Sequence, residues 1–338
     1  MSTTRLATPN RLRNSNKSAK SPATKEKKVP AKRVSPPRTV AFTQLDVFAE
    51  QRLQGNMLAV IHDATGLTTE EMQALARETN LSETCFILPR SAAEEKKNGV
   101  KVRIFTVQEE LPFAGHPTLG TASWLWMNHP RLQRADEITL DLRVGKIRVR
   151  FTQPTASDHG VFAEMEQPNP EFLKVLHEPD GVASALGIDA SELAKGVPIA
   201  TVSTGLSYCI VTLASVESLS RLRIPLDRAE RYLGWHASKF FYVIAPVDKA
   251  TGANWRARMQ FYNGEDAATG SAAGCCISFL VKHGLAKSGE KVVIEQGVEM
   301  QRPSRIVASA EKSKDGEVRK VRVGGRTIQV ANGHFFLP

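Results

Sequence analysis

From residue 40 onward the chain alternates short apolar and polar blocks, and each block predicts an element. Residues 40–49 alternate with period two, as a half-buried strand does. Gly55-Asn56 reads as turn chemistry ahead of a second strand over 57–62. Thr68-Thr69-Glu70-Glu71 has the form of a capping box, in which the Thr68 hydroxyl accepts the Glu71 amide and the Glu71 carboxylate reaches back. Behind it Met72, Leu75, Ala76 and Thr79 share one helical face, and the helix should end near Asn80. Residues 84–88 are apolar on both faces, which predicts a buried strand, and 100–106 predict another. The run from Leu111 to Gly120 leads into an apolar helix over 121–128, with Gly115 ahead of Pro117 as a start signal. A hairpin follows, 138–142 with 146–151 around Val144-Gly145. In the second half, strands are predicted at 199–201, 208–213, 240–245 and 255–261. A second apolar helix opens after Glu265-Asp266-Ala267-Ala268-Thr269-Gly270 and runs to about His283; strands at 292–295, 305–309, 318–323 and 327–330 complete the chain.

The two halves echo each other. Ala114-Gly115-His116 lines up with Thr269-Gly270-Ser271 at an offset of 270 − 115 = 155 residues. Trp124-Leu125 then falls opposite Phe279-Leu280, and Ile138-Thr139-Leu140-Asp141 lies within one residue of Val292-Val293-Ile294-Glu295. One large repeat of strand, Gly-containing elbow, apolar helix and strand pair predicts an α+β protein of two pseudo-symmetric domains. Each would be a curled β-sheet wrapped around a central α-helix, with the active site between them. The expected division is a basic tail over 1–39, a first domain over 40–163 and a second over 164–326, with a last strand, 327–338, free to return to the first.

Charge changes the picture only at the N-terminus. Residues 1–40 hold eleven of the 45 Lys and Arg but one acid, Glu26, so they carry 11 − 1 = +10, the whole net charge; the remainder balances at 34 against 34. With five Pro and no aromatic, this segment cannot bury enough apolar area to offset its ordering entropy, and it is expected to be disordered. Its basic clusters fit a polyanion contact or a nuclear address, its acid-free start a mitochondrial transit peptide, and all of it a solvated spacer; otherwise a cytoplasmic location is expected. The balanced body argues against nucleic-acid binding outside the tail, because nonspecific affinity rests on Lys and Arg contacts to phosphate. There is no run of 18 apolar residues, so no membrane span is expected. Cys85, Cys209, Cys275 and Cys276 lack disulfide or zinc spacing and read as reduced core cysteines; the His residues show no ligand spacing, and neither a metal nor another cofactor is expected.

Three features carry chemistry. Gly115 and Gly270 sit at helix starts, where unpaired amides and the helix dipole favour an anion and glycine lets it approach. A facing pair would grip a carboxylate or stabilise an enolate, and Ser271 and His116 add side-chain donors. Glu83 stands at the mouth of an apolar strand, where desolvation would raise its pKa and let it take and return a proton near neutrality. Asp266 precedes the second elbow and fits either an ordinary helix-start acid or a second, substrate-orienting carboxylate.

Taken in order, Leu45-Asp46-Val47-Phe48, Gly55-Asn56, Asn80-Leu81-Ser82-Glu83-Thr84, Phe113-Ala114-Gly115-His116-Pro117-Thr118 and Asp266-Ala267-Ala268-Thr269-Gly270-Ser271-Ala272 resemble the phenazine-biosynthesis PhzF-like family, relatives of diaminopimelate epimerase, over about residues 40–338. The resemblance implies the two-domain epimerase-like fold, a homodimer, and a cofactor-independent isomerase acting on a small unsaturated or cyclic carboxylate. By motif position it implies Glu83 as the proton-carrying acid/base, His116 and Asp266 as catalytic partners, and Gly115, Gly270 and Ser271 as the substrate grip. The epimerase relatives use two facing Cys; here those positions are Ala114 and Thr269, which disfavours two-thiol racemisation. Val107, Ala267 and Met57 stand where the family pattern has Pro, and Asn263-Gly264 shortens a loop, changes that bear on the substrate more than the chemistry. A non-catalytic ligand-binding or scaffold protein with an isomerase-derived pocket is the rival reading.

Overall fold

The alternating blocks become strands and the continuous apolar runs become two central helices. The computed structural model describes residues 38–155, 159–261 and 264–337. The tail expectation therefore lies outside the described residues, except that Arg38 and Thr39 already belong to the first strand. In chain order the first half comprises β1 (Arg38–Val47), β2 (Asn56–Ile61), α1 (Thr69–Thr79), β3 (Glu83–Leu88), α2 (Ala92–Asn98), β4 (Val100–Phe105), β5 (Glu110–Leu111), α3 (Gly115–Asn128), β6 (Glu137–Leu142), β7 (Gly145–Thr152) and β8 (Val161–Glu166). The second comprises β9 (Glu171–Leu176), α4 (Pro179–Leu186), β10 (Ile199–Ser203), β11 (Ser207–Thr212), α5 (Val216–Arg221), α6 (Leu226–Gly234), β12 (Phe240–Pro246), β13 (Trp255–Arg258), β14 (Gln260–Phe261), β15 (Gly264–Glu265), α7 (Gly270–Lys282), β16 (Val292–Gln296), β17 (Ser304–Lys312) and β18 (Val318–Leu337).

Strands β1, β2, β3, β4, β6, β7, β8 and β18 pair in that order, and β18 pairs back onto β1 with Arg38 opposite Leu337, so the first curl closes into a ring. From β18 the same sheet continues through β17, β16, β13, β12, β11, β10 and β9 as the second curl. Helix α3 fills the ring, touching β1, β2, β3, β6, β7, β8 and β18, while α7 lies against β10, β11, β17 and β18. Both helices are buried along nearly their whole length, which is why their sequences are apolar all round and show no amphipathic stripe. Leu119, Leu125, Phe279 and Leu280 join Val47, Leu58, Ile104, Ile294 and Val323 in one continuous core. Helices α4, α5 and α6 cover the outer face of the second curl through a separate cluster that includes Val182, Leu186, Leu219 and Leu233.

Several expectations are refined. The capping box forms: Thr68 Oγ1 accepts from the Glu71 amide at 3.2 Å and Glu71 Oε2 accepts from the Thr68 amide at 2.9 Å. Asn80 ends α1 in the left-handed region, φ 50°. Helix α3 begins at Gly115, six residues before the expected start at 121: the Gly115–Pro117 start signal marks its first turn, where the amide that Pro117 lacks has no partner within a helix in any case. The two closing strands expected at 318–323 and 327–330 are one 20-residue strand. Gly324 and Gly325, which read as a break, stay paired with Glu164 and Ala163. They are glycine because a Cβ on Gly324 would lie 2.6 Å from the Ala163 carbonyl and one on Gly325 would enter the Phe48 ring. Helices α2, α4, α5 and α6 and strands β5, β8, β9 and β15 were not foreseen.

One connection prepares the site. Asp46, at the end of β1, is buried and accepts from the Leu53 amide at 2.6 Å and from Arg302 Nη2 at 2.6 Å. Arg302 also donates to the Gln54 and Gly55 carbonyls at 2.7 and 3.1 Å. This clamp fixes the loop between β1 and β2 and hence the entry of Asn56 into β2.

Candidate active site

Ala114 and Thr269 are the N-caps of α3 and α7, and Gly115 and Gly270 are their first residues. The two helices meet head to head. A Cβ on Gly115 would lie 3.2 Å from the Ser271 amide nitrogen, and one on Gly270 would lie 3.7 Å from Gly115 Cα and 3.2 Å from Phe48 Cζ. A side chain at either point would have to push its neighbours back by a few tenths of an ångström, so glycine gives the closest approach. Neither first turn carries an acid, so two sets of free amides and two positive dipole ends face the same place without a protein counter-charge in either turn.

Glu83 opens β3, whose parallel register places it beside Leu58 of β2. Its side chain keeps 15 % exposure, and Oε2 lies 3.3 Å from His116 Nε2 in the first turn of α3. The contact is outside hydrogen-bond geometry: Glu83 Oε2 and His116 Nε2 are buried polar atoms with no hydrogen-bond partner among the described residues. Burial, reinforced by the nearby Asp266 charge, pushes the Glu83 carboxyl up to about 8. Burial pushes His116 down to about 3, against a hydrogen bond from its ring to the Met57 backbone. Near neutrality the pair is therefore an uncharged acid facing an uncharged imidazole.

Asp266 arrives from the second curl, at the end of the β14–β15 hairpin. Burial raises its carboxyl to about 6, held from rising further by donors from Thr269, Asn56 and the Ala268 and Ala267 amides. Asn56 Nδ2 donates to Asp266 Oδ1 at 2.7 Å, and Thr269 Oγ1 donates to Oδ2 at 2.7 Å. Gln296 braces the turn by donating to the Asp266 carbonyl at 2.8 Å and accepting from the Thr269 amide at 3.1 Å. In the first turn of α7, Ser271 Oγ lies 2.8 Å from Tyr208 Oη. The buried Tyr208 phenol is pushed well above its usual range and keeps its proton.

The six residues named from sequence thus fall into one place: Glu83 against His116, Asp266 within electrostatic reach of Glu83, and Gly115, Gly270 and Ser271 at the junction of the helices. Sequence reasoning missed Asn56, Tyr208, Thr269 and Gln296 as members of the site. Asn56 was masked by the Gly before it, which made the pair look like a turn; it is instead the buried first residue of β2. Tyr208 left a weak signal, a phenol at the start of a buried strand. All four Cys are buried free thiols.

The phenazine biosynthesis-like protein family model matches residues 45–333. An uncharacterized isomerase of Mesorhizobium japonicum is 35% identical over 309 residues, covering 89% of this chain and 100% of the relative. Trans-2,3-dihydro-3-hydroxyanthranilate isomerase of Pseudomonas aeruginosa is 36% identical over 299 residues, covering 88% of this chain and 99% of that one. The solved structure of a predicted epimerase from Pseudomonas aeruginosa superimposes with a TM-score of 0.73 at 36% identity, covering 88% and 100% of the two chains. The chain belongs to the phenazine biosynthesis-like protein family, and it is an isomerase with the epimerase-like α+β fold.

Proposed function

We propose that this isomerase moves a proton between two carbons of a small unsaturated or cyclic carboxylate, without a cofactor, and that Glu83 carries the proton. The observation that supports it most is the unsatisfied pair, Glu83 Oε2 and His116 Nε2, buried beside the junction of two helix N-termini. Leaving such atoms unpaired costs stability, so a site that retains them has a use for them. In this reading the Gly115 and Gly270 elbows and the Ser271 hydroxyl hold the substrate carboxylate. His116 and Asp266 orient an amine or hydroxyl. Ionised Glu83 takes a proton from carbon; the electron pair left behind spreads into the conjugated system. The same proton returns from Glu83 to a second carbon, the double bond shifts, and the enzyme ends unchanged. A carboxyl near 8 gives both forms at working pH, which one group acting first as base and then as acid requires. Burial of the site shields the proton from water between the steps.

The relatives named for trans-2,3-dihydro-3-hydroxyanthranilate make that compound the first substrate to test. In deuterated buffer, wild-type protein should isomerise it or exchange its ring proton, and Glu83→Gln should lower the rate roughly a thousandfold or more while remaining folded. If other cyclic or unsaturated carboxylates turn over instead, the substrate changes and the role of Glu83 stands. Full exchange in Glu83→Gln would refute the role itself.

A further inference from the structure

Asn56 reaches from the ring into the approach to α7. Its Nδ2 lies 2.7 Å from Asp266 Oδ1, 3.0 Å from the Ala268 carbonyl and 3.4 Å from His116 Nδ1. An amide has two protons, and the two shorter contacts account for both. His116 Nδ1 needs neither, because its Nε2 has no hydrogen-bond partner among the described residues and the ring's bond to the Met57 backbone must then be made by an Nδ1 proton. Asn56 is itself held by construction. Gly55, φ +72°, turns the chain just before it, and the Asp46–Arg302 clamp grips the Gly55 carbonyl. In β2 it lies two residues before Leu58, the neighbour of Glu83 in β3.

We infer that Asn56 is a positioning residue, whose single amide group ties the strand bearing one side of the site to Asp266 and Ala268 and so fixes the Asp266 carboxylate beside Glu83. The inference rests on the role proposed for Glu83 but is testable apart from it. Two donors from one rigid group hold the carboxylate and the turn into α7 together, so the distance between the two acids does not drift. The Asn56 donor also favours the ionised form of Asp266, and that charge is what helps keep the proton on Glu83. Among the described residues the other donors to the Asp266 carboxylate, Thr269, Ala268 and Ala267, all belong to the turn itself.

The test is carboxyl-carbon NMR of the full-length protein with labelled Asp, which needs no substrate. Wild-type Asp266 should titrate near 6. Asn56→Leu, close in shape and without a donor, should raise that midpoint by roughly one pH unit, as expected for losing one hydrogen bond to a carboxylate. Asn56→Ser, which is smaller and keeps a hydroxyl, should fall between. In the wild-type protein the Asn56 side-chain amide resonances should follow the same midpoint, a reading available even if neither variant folds. With a turned-over substrate, the rising limb set by Glu83 near 8 should stay in place, while Asn56→Leu loses kcat/KM only where Asp266 is no longer ionised, up to about tenfold below pH 6 and with recovery above about pH 7. A purely structural role would lower kcat/KM equally at every pH. An unmoved Asp266 midpoint, or Asn56 amide signals that ignore it, would overturn the inference. Activity surviving in Glu83→Gln would instead strike at the proposed function and leave the Asn56 result intact.

Discussion

Replacing Glu83 by Gln should stabilise the protein, and by an amount that grows with pH. The folded carboxyl titrates at about 8 against an ordinary value of 4.5, a gap of 3.5 units. Between those values the unfolded chain has released the proton while the folded chain still holds it. Unfolding is therefore favoured as pH rises, at about 1.36 kcal/mol per unit. The full gap corresponds to about 5 kcal/mol; relaxation and water entry around the ionised group leave roughly 2–5 kcal/mol as the expected range. This penalty is absent below about pH 4.5, accumulates through the window and is complete above about 8. Gln fills the same space, has no proton to lose and can donate to His116 Nε2. His116 stays neutral throughout, since burial holds it down near 3, and it affects both proteins alike. Urea unfolding at pH 5, 7 and 8.5 should give curves that nearly coincide at the lowest value and separate steadily above it, with the variant the more stable. Parallel curves, or a wild-type advantage at pH 8.5, would show that Glu83 is not held protonated by its surroundings. The same substitution is expected to remove activity, so stability and turnover would move in opposite directions at one residue.

Other substitutions probe the frame. Arg302→Met strands the fully buried Asp46 carboxylate and should cost about 3–5 kcal/mol, with Asp46→Asn in the same chain recovering much of it; a loss under 1 kcal/mol in thermal unfolding would show that the clamp is not needed. Gly274→Ala places a methyl on Gln167 Oε1, whose amide donates to the Gly270 carbonyl at 2.9 Å, and should destabilise by about 1–3 kcal/mol; Gln167→Ala should relieve part of that in a double-mutant cycle, and simple additivity would refute the contact. Tyr208→Phe removes the partner of Ser271 and should raise KM for a carboxylate substrate about threefold to tenfold with little change in melting temperature; an unchanged KM would remove the Tyr208–Ser271 pair from binding.

The parts of the fold legible in the sequence were those whose burial leaves a simple periodic mark. Strand β1 alternates, α1 announces its start through Thr68 and Glu71, and the repeated elbows at Gly115 and Gly270 betray themselves by position. What escaped was set by contacts distant in sequence. Gly115 ahead of Pro117 reads as a start signal, yet the apolar run marks the helix only from 121, because the first turn is given over to the junction with α7. Gly324-Gly325 looks like a break until Phe48, nearly three hundred residues earlier, is seen filling the slot they leave. Asn56 looks like a turn residue because nothing nearby reveals that Asp266 waits across the site. Helices α4, α5 and α6 are short and only half covered, so their periodicity is spread over too few residues to stand out.

Strand β18 also bears on the order in which the protein is made. Its distal end pairs with β1 from Arg38 to Val47, so the ring that encloses α3 cannot close until residues 327–337 have been synthesised. Everything from β1 to β17 must leave the ribosome with an open seam, and β1 and β8 wait with unsatisfied edges for a partner translated some 150 to 300 residues later. A nascent chain of this kind exposes pairing edges for most of its synthesis, which favours helpers that hold it and penalises ribosomes that stall near the end. A premature stop of a dozen codons, trivial by length, would leave the earliest-made half permanently unsealed.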